Sequence, residues 1–539
     1  MLRQMITFKK VLITVFNVII CFCAHAQLST GGIPASFTLR GDHVSIPTII
    51  TPAIDADQIK KEDLSTNVKA SGYRFGIDFY YSLSLTDNGV WTTLPNGDQI
   101  CRLRLLCPGA VSVSFTFDQY HLPEGAKLFA YTPDKQQILG AFTTLNNQED
   151  GYFAVSLLAG DEVILEYQQP ATCSEQPLLR LWRITHGYRG PRMLTKGYGD
   201  AGDCQINVKC PEGKGWEDPI NATCAILDGG TELCTGTLIN NTRQDGTPYL
   251  LTANHCYTYS ESTGTWVFWF NWESPTCING FKRPTPNTLS GAKALASSSR
   301  TDFCLLRLNT APPVSYNPIY CGWSRLTTPP DSAVCIHHPH LDVKKISPSD
   351  SINISSFFER PEFPNAWRAH WSTACTESGS SGCALFDQQR RIIGQLWGGA
   401  SRCGAPADEM YDYFGRLDWS WEGNNENVRL RDWLDPDSTD VMTIGSYAPV
   451  AHIPHGAASQ PQFNLQPNPC HTYTHIELAN PALSIEQINL YDITGKLVVH
   501  QDGTHTQYAE LRVGTLPKGL YIIKLETSSG LAVSKLLID

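Results

Sequence analysis

Three short stretches of the sequence contain the side-chain types that nucleophilic acyl transfer requires. His255 ends an apolar run, Asp302 begins another, and Ser381 lies in a Gly-Ser-Ser-Gly segment. A serine hydroxyl is inert until a base takes its proton, and a histidine near its ordinary pKa can take that proton and return it to a leaving amine. A carboxylate holds the imidazole in the required tautomer and stabilises the imidazolium. Together the stretches predict a serine nucleophile activated by a histidine–aspartate pair.

The residues around Ser381 meet a second requirement of this chemistry. Glycines at 379 and 382 allow a tight turn whose backbone N–H groups converge on an oxyanion. Each stretch alone is also compatible with a structural role, as a core histidine, a strand-edge aspartate or a flexible loop. The chain order His, Asp, Ser is that of chymotrypsin-type enzymes and differs from that of subtilisin and the α/β-hydrolases.

Length and composition restrict what surrounds these residues. The chain has 539 residues, which is too many for one compact core, and 42% of them are hydrophobic. The net charge of −11 argues against a nucleic-acid partner, because phosphate binding needs a basic surface. Eighteen cysteines favour an oxidising compartment.

The first 26 residues predict a signal peptide. Arg3, Lys9 and Lys10 precede an apolar run over 11–23, and Ala24-His25-Ala26 has the small-x-small pattern of a cleavage site. The run is too short to span a bilayer, although a short membrane anchor is the alternative. We expect a mature chain that begins at Gln27, has no integral membrane segment and is exported.

The segments that flank the three stretches have the period-two pattern of β-strands. Val113, Phe115 and Phe117 alternate with polar residues, which predicts a half-buried strand. Further short runs of this kind predict a β-sandwich-like domain within 27–196 and a small β-domain over 467–539. Residues 197–443 carry the acyl-transfer residues, and residues 444–466 have the composition of a linker. The fold class predicted for the whole chain is all-β.

The stretch from Cys204 to Leu434 resembles the lysyl endopeptidase group of trypsin-like serine proteases. This resemblance implies a double β-barrel, with His255 as general base, Asp302 as its orienting carboxylate and Ser381 as nucleophile. It also implies an oxyanion hole formed by the N–H groups of Gly379 and Ser381. The matching segments are Cys204–Gly213, Cys234–Thr242, Leu251–Cys256, Asp302-Phe303, Gly322-Trp323, Ile336–Pro339, Thr376-Glu377, Gly379–Gly382, Gly394–Leu396, Gly398-Gly399, Cys403, Gly415-Arg416 and Asp432–Leu434.

The resemblance also implies a substrate pocket. Asp412 stands where the family has its pocket carboxylate, so cleavage after a basic residue is expected, with an internal salt bridge to Arg416 as the alternative. Trp397, Gly398 and Gly399 are the other substrate-binding residues. In the lysine-specific relatives a histidine stands at the place of Trp397 and pairs with an upstream tryptophan. Near the place of that upstream tryptophan this sequence has Phe357 and Phe358. Lysine is still the first choice from the resemblance, but because the histidine–tryptophan pair is replaced, arginine stays open.

The cysteines divide into a family set and others. The resemblance implies three disulfides, and ten further mature cysteines lie outside that pattern. His337, His338 and His340 lack a matching carboxylate or cysteine spacing, so we predict no metal site and no cofactor. The implied disulfides are Cys204–Cys403, Cys210–Cys277 and Cys234–Cys256.

The flanking regions complete the prediction. Segment 27–196 precedes the protease region as a propeptide does in these relatives, and Lys196-Gly197 offers a site that the enzyme itself could cut; the alternative is a sandwich that stays attached and binds a surface partner. The C-terminal segment resembles the sorting domain of the type IX secretion pathway of Bacteroidetes, with a small binding module as the alternative. Its matching residues are Asn464-Leu465, Pro467–Pro469, Ile488–Asp492, Gly495-Lys496 and Leu516–Tyr521.

The sequence therefore predicts a secreted or cell-surface serine endopeptidase, made as a zymogen, that cuts proteins or peptides after Lys and, as an open point, Arg. The type IX secretion machinery is its other expected partner. The alternative is a protease-like surface adhesin without turnover, although all three acyl-transfer residues are present.

Overall fold

The computed structural model describes residues 28–39, 44–65, 72–189, 198–258, 260, 262–279, 284–357, 363–449, 463–480, 483–492, 497–528 and 530–539. The predicted signal peptide, the Lys196-Gly197 site, Phe358 and residues 450–462 of the predicted linker lie outside the described residues.

Two sheets face each other in the first part of the chain and enclose one apolar core. One sheet has six strands in the order β1-β5-β10-β7-β8, with β4 beside β5, and the other has the order β3-β11-β6-β9. Side chains such as Phe115, Phe117 and Leu165 fill the space between them. The strands are β1 (Thr48–Ile50), β2 (Tyr73–Arg74), β3 (Gly76–Ser84), β4 (Val90–Thr93), β5 (Gln99–Leu106), β6 (Ser112–His121), β7 (Lys127–Tyr131), β8 (Ile138–Phe142), β9 (Phe153–Ala159), β10 (Glu162–Gln169) and β11 (Leu178–Gly187).

Strand β6 differs from the prediction of a half-buried strand. Val113, Phe115 and Phe117 point into the sandwich core, but Ser114 and Thr116 on the opposite face are buried as well. That face packs against the following domain across a small cavity that Trp269 also lines. The polar alternation thus marks a domain interface and not a solvent-exposed surface.

Two antiparallel eight-stranded sheets form the double β-barrel of the central part. The first has the order β17-β16-β13-β14-β15-β19-β18, with β2 added beside β14, and the second has the order β12-β21-β20-β24-β25-β26-β23-β22. The strands are β12 (Ile206–Asn207), β13 (Thr223–Asp228), β14 (Thr231–Leu238), β15 (Tyr249–Ala253), β16 (Val267–Phe270), β17 (Asn287–Ser290), β18 (Ala292–Ser298), β19 (Phe303–Leu308), β20 (Ala333–His337), β21 (Lys345–Ser349), β22 (Ser351–Ser355), β23 (Ala366–His370), β24 (Ala384–Asp387), β25 (Ile392–Gly399) and β26 (Tyr411–Arg416).

The register of the first barrel sets the positions of two predicted site residues. Ala253, the last residue of β15, lies opposite Phe303, the first residue of β19. His255 follows β15 and Asp302 precedes β19, so both emerge at the same end of a strand pair. Apolar residues of these strands, including Leu251 and Phe303, belong to a core shared with the second barrel.

Strand β2 belongs by sequence to the predicted propeptide but completes the first barrel. Arg74 lies opposite Thr231 and Tyr73 opposite Glu232 in an antiparallel pair. The amide N–H groups of Phe75 and Gly76 extend this pairing by donating to the carbonyl of Gly230. The preceding domain is therefore joined to the barrel by backbone hydrogen bonds as well as by covalent continuity.

Side chains reinforce this junction. Arg183 of β11 makes a 2.5 Å ion pair with Asp228 of β13, and both side chains are nearly inaccessible to solvent. The Trp269 indole N–H donates to Ser156 Oγ at 3.0 Å. Such a buried, hydrogen-bonded ion pair is costly to break because each charge would lose its partner.

Two further sheets form the C-terminal part, with the orders β27-β28-β31 and β30-β29-β32-β33 around an apolar core. Before it, Tyr447 of the predicted linker pairs with Tyr320, and Thr443, just ahead of the linker, pairs with Ser324, so the beginning of the linker is attached to the double barrel. The strands are β27 (Phe463–Gln466), β28 (Tyr473–Leu478), β29 (Ile485–Tyr491), β30 (Leu497–Asp502), β31 (Tyr508–Arg512), β32 (Gly519–Thr527) and β33 (Gly530–Ile538).

The α-helices are short. Within the described residues, none has both the length and the apolar character needed to cross a bilayer. The helices are α1 (Ala56–Ser65), α2 (Leu85–Asn88), α3 (Glu217–Ala222), α4 (Asn254–Thr258), α5 (Leu417–Trp421) and α6 (Arg431–Leu434).

Candidate active site

His255 and Asp302 lie in direct contact at the junction of the two barrels. His255 is on α4, immediately after β15, and its Nδ1 lies 2.6 Å from Asp302 Oδ2. The backbone N–H of the same histidine donates to Asp302 Oδ1 at 2.9 Å. Asp302 therefore holds both the ring and the backbone of His255.

The contact defines the tautomer of the imidazole. An ionised carboxylate only accepts hydrogen bonds, so Nδ1 of His255 carries the proton and Nε2 keeps a lone pair. Burial raises the pKa of Asp302, while its hydrogen bonds from His255 act in the opposite direction. The imidazole side chain is 20% exposed, which leaves it accessible from the cleft.

Thr235 of β14 connects the Ser381 turn to β15, the strand that directly precedes His255. Its N–H donates to the Ser381 carbonyl at 2.8 Å, and its own carbonyl accepts from Thr252 Oγ1 at 2.9 Å. Gly382 fits against β15 because it has no side chain: a Cβ there would lie 2.3 Å from Thr252 Oγ1. The structure thus brings the serine turn against the end of β15.

The predicted oxyanion donors lie in a constrained turn. Among the described residues, neither the Gly379 nor the Ser381 amide has a hydrogen-bond acceptor. Gly379 adopts φ +91°, and a Cβ at this position would lie 2.3 Å from Glu232 Oε2. Glycine is therefore required here both by the left-handed backbone and by the close approach of a buried carboxyl group.

Asp412 of β26 is fully buried and is held by neutral donors. Its Oδ2 accepts from the Trp371 indole N–H at 2.6 Å, from Thr376 Oγ1 at 2.8 Å and from Ser401 Oγ at 2.5 Å. Arg416, the residue considered for an internal salt bridge, makes a two-pronged ion pair with Asp418. The donors to Asp412 come from two connections, one between β23 and β24 and one between β25 and β26, so its carboxylate is firmly oriented.

Gly399 lies opposite Asp412 on the neighbouring strand β25, which also carries Trp397 and Gly398. Trp397 stacks on Phe357 with the ring centroids 4.4 Å apart and the planes 4° from parallel. The Phe357 ring also lies 3.7 Å from the place a Cβ of Gly398 would take. A Cβ at Gly399 would lie 2.2 Å from Asp412 Oδ1, so a side chain there would cover the carboxylate.

The structure contains the three implied disulfides: Cys204–Cys403, Cys210–Cys277 and Cys234–Cys256. The last one joins β14 to α4 directly beside His255. A third sulfur lies near the first bridge, because Cys375 Sγ is 3.4 Å from Cys204 Sγ.

Two groups of described residues have metal-ligand types close together, and each contains a disulfide. They are Cys204, Cys375 and Cys403, and Cys234, His255 and Cys256. A sulfur in a disulfide is not the thiolate that binds metals. His337 and His338 are engaged otherwise, with Ser380 Oγ and with the Asp342 carbonyl respectively.

Several residues with a role in this geometry were not assigned one from the sequence. Thr376 and Ser401 bind Asp412, Glu232 lies under Gly379, and the hydroxyl of Ser380 binds His337. A serine or threonine has no pattern that distinguishes a buried hydrogen bond from solvent exposure. Only the position of Ser380 beside the predicted nucleophile offered a signal.

A double β-barrel with a histidine–aspartate pair and a glycine-bounded serine near the junction of its barrels is an arrangement that trypsin-like serine proteases also have. Residues 198–415 match the family model described as lysyl endopeptidase, C-terminal domain, and residues 464–539 match the secretion system C-terminal sorting domain. The chain is therefore related to the lysyl endopeptidase group and carries a sorting domain, as the sequence motifs predicted.

Individual proteins resemble this chain to different extents. A lysyl endopeptidase from Pseudomonas aeruginosa is 28% identical over 357 residues, which are 60% of this chain and 74% of that protein. Among solved structures, a Glu endopeptidase is 18% identical with a TM-score of 0.27 and covers 40% of this chain and 92% of its own. The HtrA-type protease AlgW is 14% identical with a TM-score of 0.28, covering 38% and 59%. At these scores the structural similarities decide neither fold nor function.

Proposed function

We propose that this protein is a secreted serine endopeptidase that hydrolyses peptide bonds after Lys, with Arg as a second accepted residue. The observation that carries the proposal is the 2.6 Å contact between His255 Nδ1 and Asp302 Oδ2 at the barrel junction. A relative described as a lysyl endopeptidase adds support for the specificity.

The proposed reaction follows from the tautomer of His255. Ser381 Oγ attacks the substrate carbonyl while its proton passes to His255 Nε2, and Asp302 stabilises the imidazolium that forms. The N–H groups of Gly379 and Ser381 bind the developing oxyanion, each worth about 3–4 kcal/mol. The imidazolium then gives its proton to the leaving amine. Water next attacks the acyl-enzyme and passes a proton to His255 Nε2, which returns it to Ser381 Oγ as the acyl bond breaks.

Asp412 is the proposed determinant of basic specificity. A substrate ammonium or guanidinium would supply the cation that a buried carboxylate favours. The lysine-specific relatives pair a tryptophan with a histidine near this pocket, and here Trp397 stacks on Phe357 instead. Neither ring has a titratable nitrogen, so the pair can select a substrate side chain only by its shape. We therefore do not propose that the enzyme excludes Arg.

The proposed location is the cell exterior. Residues 464–539 match a secretion sorting domain, and the type IX pathway is the machinery that would read it. We include in this proposal the signal peptide over 1–26 and the propeptide over 27–196, cut after Lys196.

Digestion of a denatured protein mixture by the processed enzyme tests the function. Sequencing the new C-termini should give Lys, with Arg as a minority, and no other residue in quantity. Ser381→Ala should lower turnover on the order of 10⁶-fold, because the residues of such a triad act as a unit.

The matched control is Ser378→Ala, a serine three positions earlier in the same segment that has no proposed role in proton transfer. A diisopropyl fluorophosphate label should attach to Ser381 in the wild type and in the control. Absence of both label and cutting in the wild type would support the adhesin alternative instead.

A further inference from the structure

Ser380, directly before the proposed nucleophile, has its hydroxyl inside the second barrel. The residue is fully buried, and its Oγ lies 2.7 Å from His337 Nδ1 and accepts from the Glu377 N–H at 3.2 Å. On the far side of the ring, His337 Nε2 lies 3.1 Å from Ser347 Oγ. Ser347 Oγ in turn donates to the Cys375 carbonyl at 3.0 Å.

The direction of every hydrogen bond in this chain can be assigned. A carbonyl only accepts, so the single proton of Ser347 Oγ goes to Cys375, and Ser347 must accept from His337 Nε2–H. In a neutral imidazole the other nitrogen is then an acceptor, so the Ser380 hydroxyl donates to His337 Nδ1. The order runs from Ser380 through His337 and Ser347 to the Cys375 carbonyl.

His337 stays neutral over the range in which such enzymes work. Burial lowers its pKa to about 3, and the positive charge of Lys345 acts in the same direction. The ion pair of Lys345 with Asp342, at 3.5 Å, keeps that charge in place. A neutral His337 means that the Ser380 contact does not change with pH near neutrality.

This series of hydrogen bonds, from Ser380 to the Cys375 carbonyl, contacts the segment 375–381 at two places. The Cys375 carbonyl and the Glu377 N–H bracket Thr376, which binds Asp412, and the N–H groups of Gly379 and Ser381 follow within four residues. A shift of this segment by a fraction of an ångström would move the oxyanion donors out of line, since such stabilisation depends on preorganised geometry.

We propose that Ser380 and His337 are positioning residues that hold the Gly379 and Ser381 amides at the oxyanion. This inference rests on the proposed peptidase function. Neither residue touches the substrate, so both act through the backbone of the serine turn.

Three variants separate the contacts. Ser380→Ala removes the hydroxyl with the loss of one atom, and His337→Leu removes both ring contacts. His337→Asn keeps an acceptor near the place of Nδ1 but loses the link to Ser347. Ser349→Ala is the matched control. The buried hydroxyl of Ser349 lies on β21, the strand that also carries Ser347, and donates to the His370 carbonyl at 2.7 Å, away from the serine turn.

Two ligands distinguish positioning from general stability. A peptide aldehyde ending in lysine forms a hemiacetal with Ser381 and needs the oxyanion donors. In contrast, n-butylamine only occupies the proposed pocket for the substrate cation at Asp412. In Ser380→Ala and His337→Leu we expect kcat/KM and aldehyde affinity to fall together, about 10- to 100-fold, with KM and butylamine affinity unchanged. His337→Asn should lie nearer to the wild type, and Ser349→Ala should equal it.

Each other outcome has a defined meaning. Equal aldehyde affinity in Ser380→Ala and the wild type would overturn the inference and leave the peptidase proposal intact. So would a parallel loss of aldehyde and butylamine binding, which indicates a distorted domain. Failure of the wild type itself to bind the aldehyde would overturn the proposed function.

Discussion

Single residues in this active site are held by neighbours that come from distant parts of the chain. Asp412 receives three hydrogen bonds from two connecting segments, and Gly379 lies against the carboxyl group of Glu232. Both carboxyl groups are fully buried. Their environments differ, because Asp412 accepts from three side-chain donors whereas Glu232 accepts from the backbone N–H of Leu341.

Asp412→Asn should change the substrate preference. Without the charge, kcat/KM for substrates with Lys before the cut should fall at least about 100-fold, since an unpaired buried cation costs on the order of 3–5 kcal/mol. Substrates with Met at that position should be affected little. Asp408→Asn, the same change at an exposed site nearby, is the control. An unaltered ratio of Lys to Met cleavage would assign the preference elsewhere.

Glu232→Gln should stabilise the protein at alkaline pH. Burial raises the pKa of Glu232 well above its usual value, with the Leu341 N–H opposing this. A raised folded-state pKa gives stability that is present below the unfolded pKa and is lost as pH rises through the folded one. Gln stays neutral, so melting curves at pH 9 should show a gain of the order of a few °C that vanishes near pH 4. A gain of equal size at both pH values would contradict this.

Elements, rather than residues, bring the site together. The strand pair β15–β19 presents His255 and Asp302 at one end, and the disulfide Cys234–Cys256 ties α4 to β14. Thr235 of β14 then binds the serine turn of the second barrel. Strand β14 therefore contacts both parts of the site, the histidine helix through the disulfide and the serine turn through Thr235.

Removing the Cys234–Cys256 bridge should weaken this arrangement. The bridge spans 22 residues, for which loop entropy gives roughly 3 kcal/mol of stability. The double variant Cys234→Ala/Cys256→Ala should therefore melt several °C lower than the wild type. Cys224→Ala, which removes a buried thiol from the neighbouring strand without breaking a cross-link, serves as the comparison. Equal melting temperatures for the two variants would argue against the entropic contribution.

Much of this could be predicted from the sequence, and the limits are physical. Alternating strands and the residues directly next to His255, Asp302 and Ser381 are local signals, and the chain order of the three residues adds to them, so fold class and candidate triad could be predicted. The burial of Ser114 and Thr116 depends on a domain more than a hundred residues away, and local alternation carries no information about that surface. The hydroxyl of Ser380 likewise has its partner 43 residues earlier.

At the scale of the whole molecule, the chain joins a sandwich, a double barrel and a sorting domain. The sandwich supplies β2 to the barrel and adds the Arg183–Asp228 ion pair and the hydrogen bond of Trp269 to Ser156. Such contacts resemble those of a stable protein–protein interface with a desolvated charge pair.

The proposed cut after Lys196 should therefore leave two pieces that remain associated. N-terminal sequencing of the processed protein should find a chain that starts at Gly197. Gel filtration without denaturant should elute it together with the 27–196 piece, whereas a denaturing gel should separate them. Lys196→Gln should block the cut, and Lys214→Gln, at an exposed lysine in the barrel domain, should not. A start far from Gly197 would contradict the prediction.

The pairing of β2, from the sandwich part of the chain, with β14 has a consequence for the processed protein on dilution. If one broken peptide bond does not free the barrel, the nicked pair is an equilibrium complex, and the amount of liberated protease depends on dilution. The fraction of barrel domain separated from the sandwich should then rise as the sample is diluted, and a concentrated culture fluid would contain mostly the paired form despite complete cleavage.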